Sequence, residues 1–526
     1  MSTQESSVAT IRATAPATLV AGRLRDDLFP WVIALATGLE YFDNTIFSFF
    51  TSYIAGGINA STDELVWSSS AYAVASVLGI LRQQSWVERL GYRRYIGGSL
   101  LLFAVASAAA ALSESSIQLA VARGAQGYFI GPMMGACRIL IQTSFTPQRR
   151  APAVRAFLCM ILLASALAPL AGGYLLASFD WRALFACTML AGIALALVVL
   201  LVVPSTGKVQ RESNSDGHFW PYIVFAFAQG ALQIAMQQVR FELFGSSPLL
   251  IGLTLAGLLA LGWFAWHQWH HPSPLVRLHA LRERTFQTGL ALYVLFYYIS
   301  NAMSYLVSRF LEGGLRYPVE NAGRLVGFTS FASLAFALIY FRVSPRIRHK
   351  RWLIVPGFLI AALIGGWMIS MPPDVSMQWL LPPLLLRGLL LVFIVLPVAN
   401  LAFRIFSAEE FNHGYRFKNM VKQLTYSFST ATMIMLDQHR EAVHETRLTE
   451  FVNPFNPIFQ NTFDTLMHGF ELLGHPASEA RGLALVEISR TVTQQASFLS
   501  ALDGFYFLIG IAVCGGLFAL YQRQID

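Results

Sequence analysis

Residues 30–55 read PWVIALATGLEYFDNTIFSFFTSYIA. The stretch is apolar except for Glu40, Asp43 and a few small polar residues. It is long enough for a bilayer core of about 30 Å, which takes about 20 residues of helix. Glu40 and Asp43 stand three apart and so share one helix face. Asp43 lies roughly 20 Å along the axis from Pro30, near mid-bilayer. An aspartate there costs at least about 2.5–3.5 kcal/mol, so its retention marks a functional site by default. Two neighbouring acids resist joint ionisation and are expected to titrate as a pair. An acid that merely hydrogen-bonds to the next helix is the alternative.

Thirteen further runs of this kind follow, near 65–81, 95–112, 117–137, 155–177, 183–203, 219–238, 248–267, 286–308, 321–341, 352–370, 378–400, 417–436 and 499–521. The whole chain agrees with them. Of 526 residues, 55% are hydrophobic and 13% charged, against about 25% charged in soluble domains. An all-α integral membrane protein with fourteen crossings is predicted. The first 29 residues are polar, and the run that follows is too long for a cleavable signal peptide. An even number of crossings places both termini on one side. Most Lys and Arg fall in the loops of that side, whereas the short loops opposite hold only Arg182, Arg240, Arg309 and Arg316. The positive-inside rule makes the basic side cytoplasmic. It also accounts for the net charge of +8 without nucleic acid. Cys137, Cys159, Cys187 and Cys514 have no metal-ligand spacing, and neither a disulfide framework nor a zinc site is expected.

Between the last two runs lies segment 437–497, broken by Asn453-Pro454-Phe455-Asn456-Pro457. Helical patterning flanks the break. An ordered outer excursion is expected, with a disordered loop as the alternative. The segment combines Asp437, Glu441, Glu445 and Glu450 with Phe451, Phe455, Ile458, Phe459 and Phe463. Such aromatics fit either a docking face or a cap over the outer mouth.

Two basic loops share one pattern: Arg89-Leu90-Gly91-Tyr92-Arg93-Arg94 after the second run, and Arg346-Ile347-Arg348-His349-Lys350-Arg351 after the tenth. They fit a repeat of two six-span halves with two extra spans between. Other segments join them in a recognisable order: Asp43-Asn44-Thr45-Ile46, Trp67 with Ala71-Tyr72, Arg123-Gly124-Ala125-Gln126-Gly127, Ala168-Pro169-Leu170-Ala171-Gly172-Gly173 and Trp181-Arg182. Late in the chain come Asn419, Lys422-Gln423, His444, Gln494, Asp503 and Phe505. Together they resemble the major facilitator superfamily, and within it the fourteen-span drug:proton antiporters of the EmrB/QacA type. Glu88 replaces the loop aspartate of that family, and Ala168 replaces the first glycine of its fifth-span signature.

The resemblance implies a major facilitator fold divided as follows: a cytoplasmic tail 1–29, a first six-helix bundle 30–204, two extra helices with their loops 205–284, five helices of the second bundle 285–436, the outer (periplasmic) excursion 437–497, and the last helix with the C-terminus 498–526. It implies a proton-coupled exporter of small hydrophobic or amphipathic compounds, of multidrug-efflux type, in a bacterial inner membrane. No cofactor is implied beyond the proton gradient, and no enzyme activity. A dedicated exporter of one metabolite or siderophore is the alternative. A membrane-embedded enzyme is remote, since G-x-x-x-x-G-K-[ST] and H-E-x-x-H patterns are missing. Further implied partners are a periplasmic adaptor and an outer-membrane channel.

Site expectations follow. Asp43, Glu40 and Arg123 would carry proton coupling, a carboxylate of the first span being the sensible partner for Arg123. Glu88, Arg89, Gly91, Arg93 and Arg94 would form a conformational switch loop. Pro169, Gly172 and Gly173 would form the antiporter signature at the interface between halves. Phe47, Phe50, Gln126, Tyr293, Tyr297 and Arg387 would line the cavity. Arg387 has two open readings: an anionic substrate group, or backbone carbonyls. Gln229, Gln233, Gln237 and Gln238 stripe the seventh run and are expected to contact a neighbouring helix. His267, His270 and His271 have metal-compatible spacing, but an interfacial aromatic belt with Trp263, Trp266 and Trp269 explains them, and no metal is expected.

Overall fold

Inside a bilayer every backbone N–H and C=O must be satisfied within the chain, and helices do this segment by segment. The computed structural model describes residues 16–522 except 206–218, 239–246, 273, 277, 279–281, 348, 404–405 and 407, and every regular element among them is helical. Arg240, Arg348 and most of the N-terminal tail lie outside the described residues.

The first half begins with α1 (Pro16–Phe49) and the short α2 (Thr51–Gly57). Ser61 then caps α3 (Thr62–Ala111), its hydroxyl accepting from the Glu64 backbone N–H at 3.2 Å. α3 carries the second and third apolar runs in one helix, interrupted only at Gly91 (φ 75°, ψ 157°). A side chain is strained at that φ, so the break falls on glycine. The fourth run divides at Gly131-Pro132 into α4 (Ser116–Ile130) and α5 (Met133–Ser144), and α6 (Pro147–Ser178) and α7 (Arg182–Val202) complete the half. α8 (Phe219–Gln238) and α9 (Pro248–His270) follow as a pair packed on each other.

The second half comprises α10 (Arg284–Arg309, running into a π turn at Phe310–Gly314), α11 (Val319–Val343), α12 (Arg351–Ile369), α13 (Met377–Leu390), which passes through a π turn at Leu391–Val395 into α14 (Leu396–Ala402), α15 (Ala408–Thr449), α16 (Pro457–Leu472) and α17 (Ala477–Tyr521). Ten helical stretches among the described residues are long and apolar enough to cross a membrane, where the sequence led us to expect fourteen. The difference has a physical cause in each case. α3 joins two runs, and α4 and α5 are separated by a break. α1 and α15 are diluted by charged side chains: Glu40 and Asp43 in one, Lys418, Lys422 and Asp437 in the other.

α1 packs on α6 and α7, and α3 on α4 and α7; in the other half α12 packs on α17 and α13, and α10 on α15 and α17. Two seams join the halves, α6 against α11 and α3 against α15. At the end that carries the Gly91 break of α3 the halves close on aromatic rings. Phe29 stacks on Phe145 at 4.9 Å, and Phe411 and Tyr415 of α15 pack into the same cluster as Tyr92, Tyr95 and Phe157 of the first half. Nearer the opposite end the halves diverge around a cavity.

Segment 437–497 is an ordered helical excursion. α15 spans 42 residues and α17 spans 45, about 63 and 67 Å at 1.5 Å per residue, roughly twice a bilayer core. The Asn456 side chain accepts from the Ile458 N–H at 3.0 Å and starts α16, and Gly474 (φ 96°) turns the chain into α17. α16 lies along α17 and buries no residue fully.

Candidate functional site

A cavity of about 920 Å³ lies between the halves, lined from α1, α3 and α6 on one side and α10, α11, α13 and α15 on the other. Three of the cationic side chains that line it, Arg123, Lys422 and Arg309, are paired with acids.

Asp43 and Arg123 form the deepest pair. Arg123 Nη1 donates to Asp43 Oδ2 at 2.7 Å, with both side chains 1% exposed. The same nitrogen donates to Gln126 Oε1 at 2.8 Å. Gln126 Nε2 reaches Ser107 Oγ at 2.7 Å and Asp43 Oδ1 at 3.5 Å. The guanidinium lies over the rings of Phe47 (4.2 Å) and Tyr72 (4.4 Å). The structure thus gives Arg123 the first-span carboxylate that its position required.

Glu40 has a different cation, one turn away from Asp43. Its Oε1 lies 3.3 Å from Lys422 Nζ, and its Oε2 accepts from the Met134 backbone N–H at 2.9 Å. Lys422 also donates to Tyr41 Oη at 3.3 Å. The two acids therefore do not form an isolated carboxylate pair: each has its own cation. The Glu40–Lys422 bond joins α1 to α15 and so bridges the halves. Neither Lys422 as this partner nor Lys418, whose ammonium sits over the Tyr415 ring at 4.3 Å, was recognised from sequence. The available signal was a lysine inside an apolar run, which is costly without a partner.

Of the expected wall residues, Tyr297 and Arg387 line the cavity, whereas Phe47, Phe50, Gln126 and Tyr293 do not. Phe47 supports Arg123 instead, and Gln126 belongs to the Asp43 network. Phe50 is fully buried against Gly172, and Tyr293 stacks on Tyr297 at 5.6 Å, one layer behind the surface. Phe47 and Tyr293 are on helices that line the cavity but face away from it, and Phe50 lies at the break between α1 and α2. Arg387 donates to the Ser304 hydroxyl, and no carboxylate among the described residues lies within ion-pair distance of it. Hydroxyl and amide groups, including Asn44, Ser48, Ser300, Asn301 and Ser304, make up much of the remaining wall.

Pro169, Gly172 and Gly173 sit on α6 where it meets the other half. The Pro169 carbonyl faces Gly323 of α11, and Gly173 faces Glu320. A Cβ on Gly172 would fall 2.0 Å from the Phe50 ring. Pro169 also borders the cavity. The expected switch loop is not a loop: Glu88, Arg89, Arg93 and Arg94 lie within α3 on either side of its break at Gly91, because the helix continues through the basic turn. Glu88 Oε1 accepts from Gln84 Nε2 at 3.0 Å, Arg93 is half-buried, and Arg89 and Arg94 are exposed.

At the outer end a second charged cluster joins α10, α15 and α17. Arg309 pairs with Asp437 at 2.9 Å and Glu441 at 2.6 Å, Tyr305 donates to Asp437 at 2.8 Å, and Asp503 holds Arg440 and His444 at 2.6 Å each. Outside the bundle's centre, α8 spans the seam between α3 and α15. Gln233 and Gln237 both donate to Ser70 of α3 at 2.9 Å, and Ser427 of α15 donates to Gln233. Gln237 also reaches the cavity. The His267, His270 and His271 rings pack against Trp263, Trp266 and each other.

A model of the Major Facilitator Superfamily matches residues 33–430. The probable multidrug resistance protein EmrY of Escherichia coli (strain K12) is 24% identical over 497 residues, covering 93% of this chain and 94% of that protein. The multidrug export protein EmrB of the same strain is 24% identical, covering 91% and 92%. The fatty acid resistance protein FarB of Neisseria gonorrhoeae is 22% identical, covering 91% and 93%. Among solved structures, a bacterial homolog of the human lysosomal transporter Spinster, inward-facing and unoccupied, superimposes with a TM-score of 0.60 at 13% identity, covering 94% of this chain and 97% of that one.

Proposed function

The chain belongs to the Major Facilitator Superfamily, and on that premise we propose that it is a proton-coupled exporter of small hydrophobic or amphipathic compounds. Its relatives that carry the name multidrug export or resistance protein support the direction of transport and the class of cargo. The observation that carries the mechanism is the pair of buried acid–cation bonds beside a cavity shared by both halves.

The chemistry follows from the pairs. A proton on Asp43 cancels its attraction to Arg123, and a proton on Glu40 cancels the bond that ties α1 to α15. Each neutralisation leaves a buried cation uncompensated, which favours a rearrangement that re-solvates it or supplies another partner. Proton entry from the outer side, a switch between halves and proton loss to the cytoplasm then form one cycle. Cargo leaving the cavity outward runs opposite to the proton. The aromatic closure at the Gly91 end and the cavity nearer the other end fit an outward-facing state of that cycle. Glu88, Arg89, Gly91, Arg93 and Arg94 would hinge the closed end, and Pro169, Gly172 and Gly173 would form the sliding contact of α6 on α11.

Fourteen crossings belong to the same reading: the ten apolar stretches, α3 counted twice, and α1, α4 with α5, and α15 added. Both termini would then be cytoplasmic, in the inner membrane of a bacterial cell. The α15–α17 arm would stand in the periplasm, where an adaptor leading to an outer-membrane channel could meet it. The polar part of the wall favours a second reading, a dedicated exporter of one hydrogen-bonding metabolite. One experiment tests the main proposal: purified protein, equilibrated in weakly buffered solution, is challenged with a panel of hydrophobic compounds while pH is followed. Proton release by several compounds supports it, release by a single compound selects the second reading, and release by none rejects both.

A further inference from the structure

We infer that Arg387 is the anion-recognition point of the cavity, so that cargo bearing a carboxylate or other anionic group is preferred over its neutral counterpart. The inference deepens the export reading and rests on it for the meaning of the cavity.

Four cationic side chains line the cavity, and three are engaged by acids. Arg123 holds Asp43 at 2.7 Å, Lys422 holds Glu40 at 3.3 Å, and Arg309 holds Asp437 and Glu441 at 2.9 and 2.6 Å. Arg387 is the exception among the described residues, with the Ser304 hydroxyl as its bonded partner. A guanidinium carries five N–H donors in a fixed planar fork and stays charged at any physiological pH. Most of that fork is therefore left to whatever occupies the cavity. A carboxylate matches it with two parallel bonds, and a phosphate or sulfate does so equally.

The backbone fixes the group in place. Gly388, the next residue, brings α13 against α11 so closely that a Cβ there would meet the Ser333 backbone nitrogen at 2.8 Å. Arg387 thus projects from a helix with little room to turn. Ser304 lies on α10, where Ser300, Ser304 and Ser308 follow each other by one turn and all line the cavity. Ser304 accepts from the guanidinium and donates to the Ser300 carbonyl at 2.9 Å, which holds one N–H of the fork against α10 and leaves the others to the cavity. The remaining apolar wall, with Phe296, Tyr297 and Ile434, suits the hydrocarbon part of the same molecule.

The test uses full-length protein in neutral detergent and two fluorescent probes, 11-(dansylamino)undecanoic acid and its neutral amide. Wild type should bind the acid about tenfold more tightly than the amide, which corresponds to about 1.4 kcal/mol. Arg387→Gln should bring the ratio to about one, and Arg387→Lys should restore part of it. A general loss of packing in the variant would weaken both probes and leave their ratio intact, and that result would overturn the inference. A wild-type ratio near one would overturn it too. A bilayer lipid is the other source of such an anion. If phosphatidylglycerol nanodiscs, compared with phosphatidylcholine ones, displace the acid from wild type, the group at Arg387 is a lipid phosphate and the cargo assignment fails. The ratio is read without a gradient, so proton-coupled export fails or stands separately, on the proton-release measurement.

Discussion

Replacing one carboxyl oxygen by an NH2 group turns Asp43 or Glu40 into an amide of the same shape that cannot ionise, so conservative variants isolate their chemistry. Asp43→Asn keeps the hydrogen bond to Arg123 but removes the titratable proton. We expect it to insert and fold yet lose accumulation of cargo against a gradient; transport in vesicles with an imposed pH difference checks this, and retained wild-type pH dependence would count against it. Glu40 and Lys422 predict a stability cycle. Breaking a buried pair by removing one partner costs about 3–5 kcal/mol, because the other charge is left alone. Glu40→Gln and Lys422→Met should each lower the melting temperature of the purified protein, and the double variant should regain most of the loss. Additive losses would show that the two side chains do not act as a pair. The acids and Arg123 were legible in the sequence because a charge in an apolar run is expensive and therefore conspicuous. Lys422 as the partner of Glu40 was not, since the two lie 382 positions apart and only the fold brings α15 to α1. Phe47, Phe50 and Tyr293 show a second limit. Hydropathy identifies the helix, but the rotation of that helix is set by its neighbours.

At the scale of elements, the apolar runs predicted helix after helix, whereas the boundary residues, Ser61 as a cap, Gly91 as a break and Gly131-Pro132 as a division, emerge from the structure. What the runs could not convey was continuity, since α15 and α17 leave the apolar region without interruption. Close packing of α6 yields a testable consequence. Gly172→Ala would force its methyl into Phe50, and overpacking of this kind costs about 1–3 kcal/mol. We expect a lower melting temperature and slower transport, both relieved by adding Phe50→Leu; no relief would mean that the glycine serves something other than this contact. The α15–α17 arm carries exposed Phe451, Phe455, Ile458, Leu472 and Leu473, more apolar surface than a solvated loop needs. Replacing 445–490 with a short flexible linker should leave transport in vesicles intact while abolishing adaptor pull-down and whole-cell resistance. Failure of vesicle transport with pull-down retained would make the arm part of the transporter's own gate.

For the whole molecule, the family was readable in the sequence, because several weak motifs recurred in one order. The state of the bundle was not readable, since aromatic closure at one end and a cavity nearer the other depend on helix tilts. One feature bears on how far those tilts can travel. Gln233 of α8 grips Ser70 on α3 and Ser427 on α15 at once, so a helix outside the rocking core is moored to both banks of the seam. A mooring limits amplitude and also sets tempo: each stroke must slip one line before the halves can swing, and re-tying it ends the stroke. Gln233→Leu should therefore quicken the swing while loosening its coupling, giving faster exchange between labelled states by single-molecule fluorescence and more protons passed per molecule of cargo exported. An unchanged exchange rate would mean that α8 rides passively with one bank.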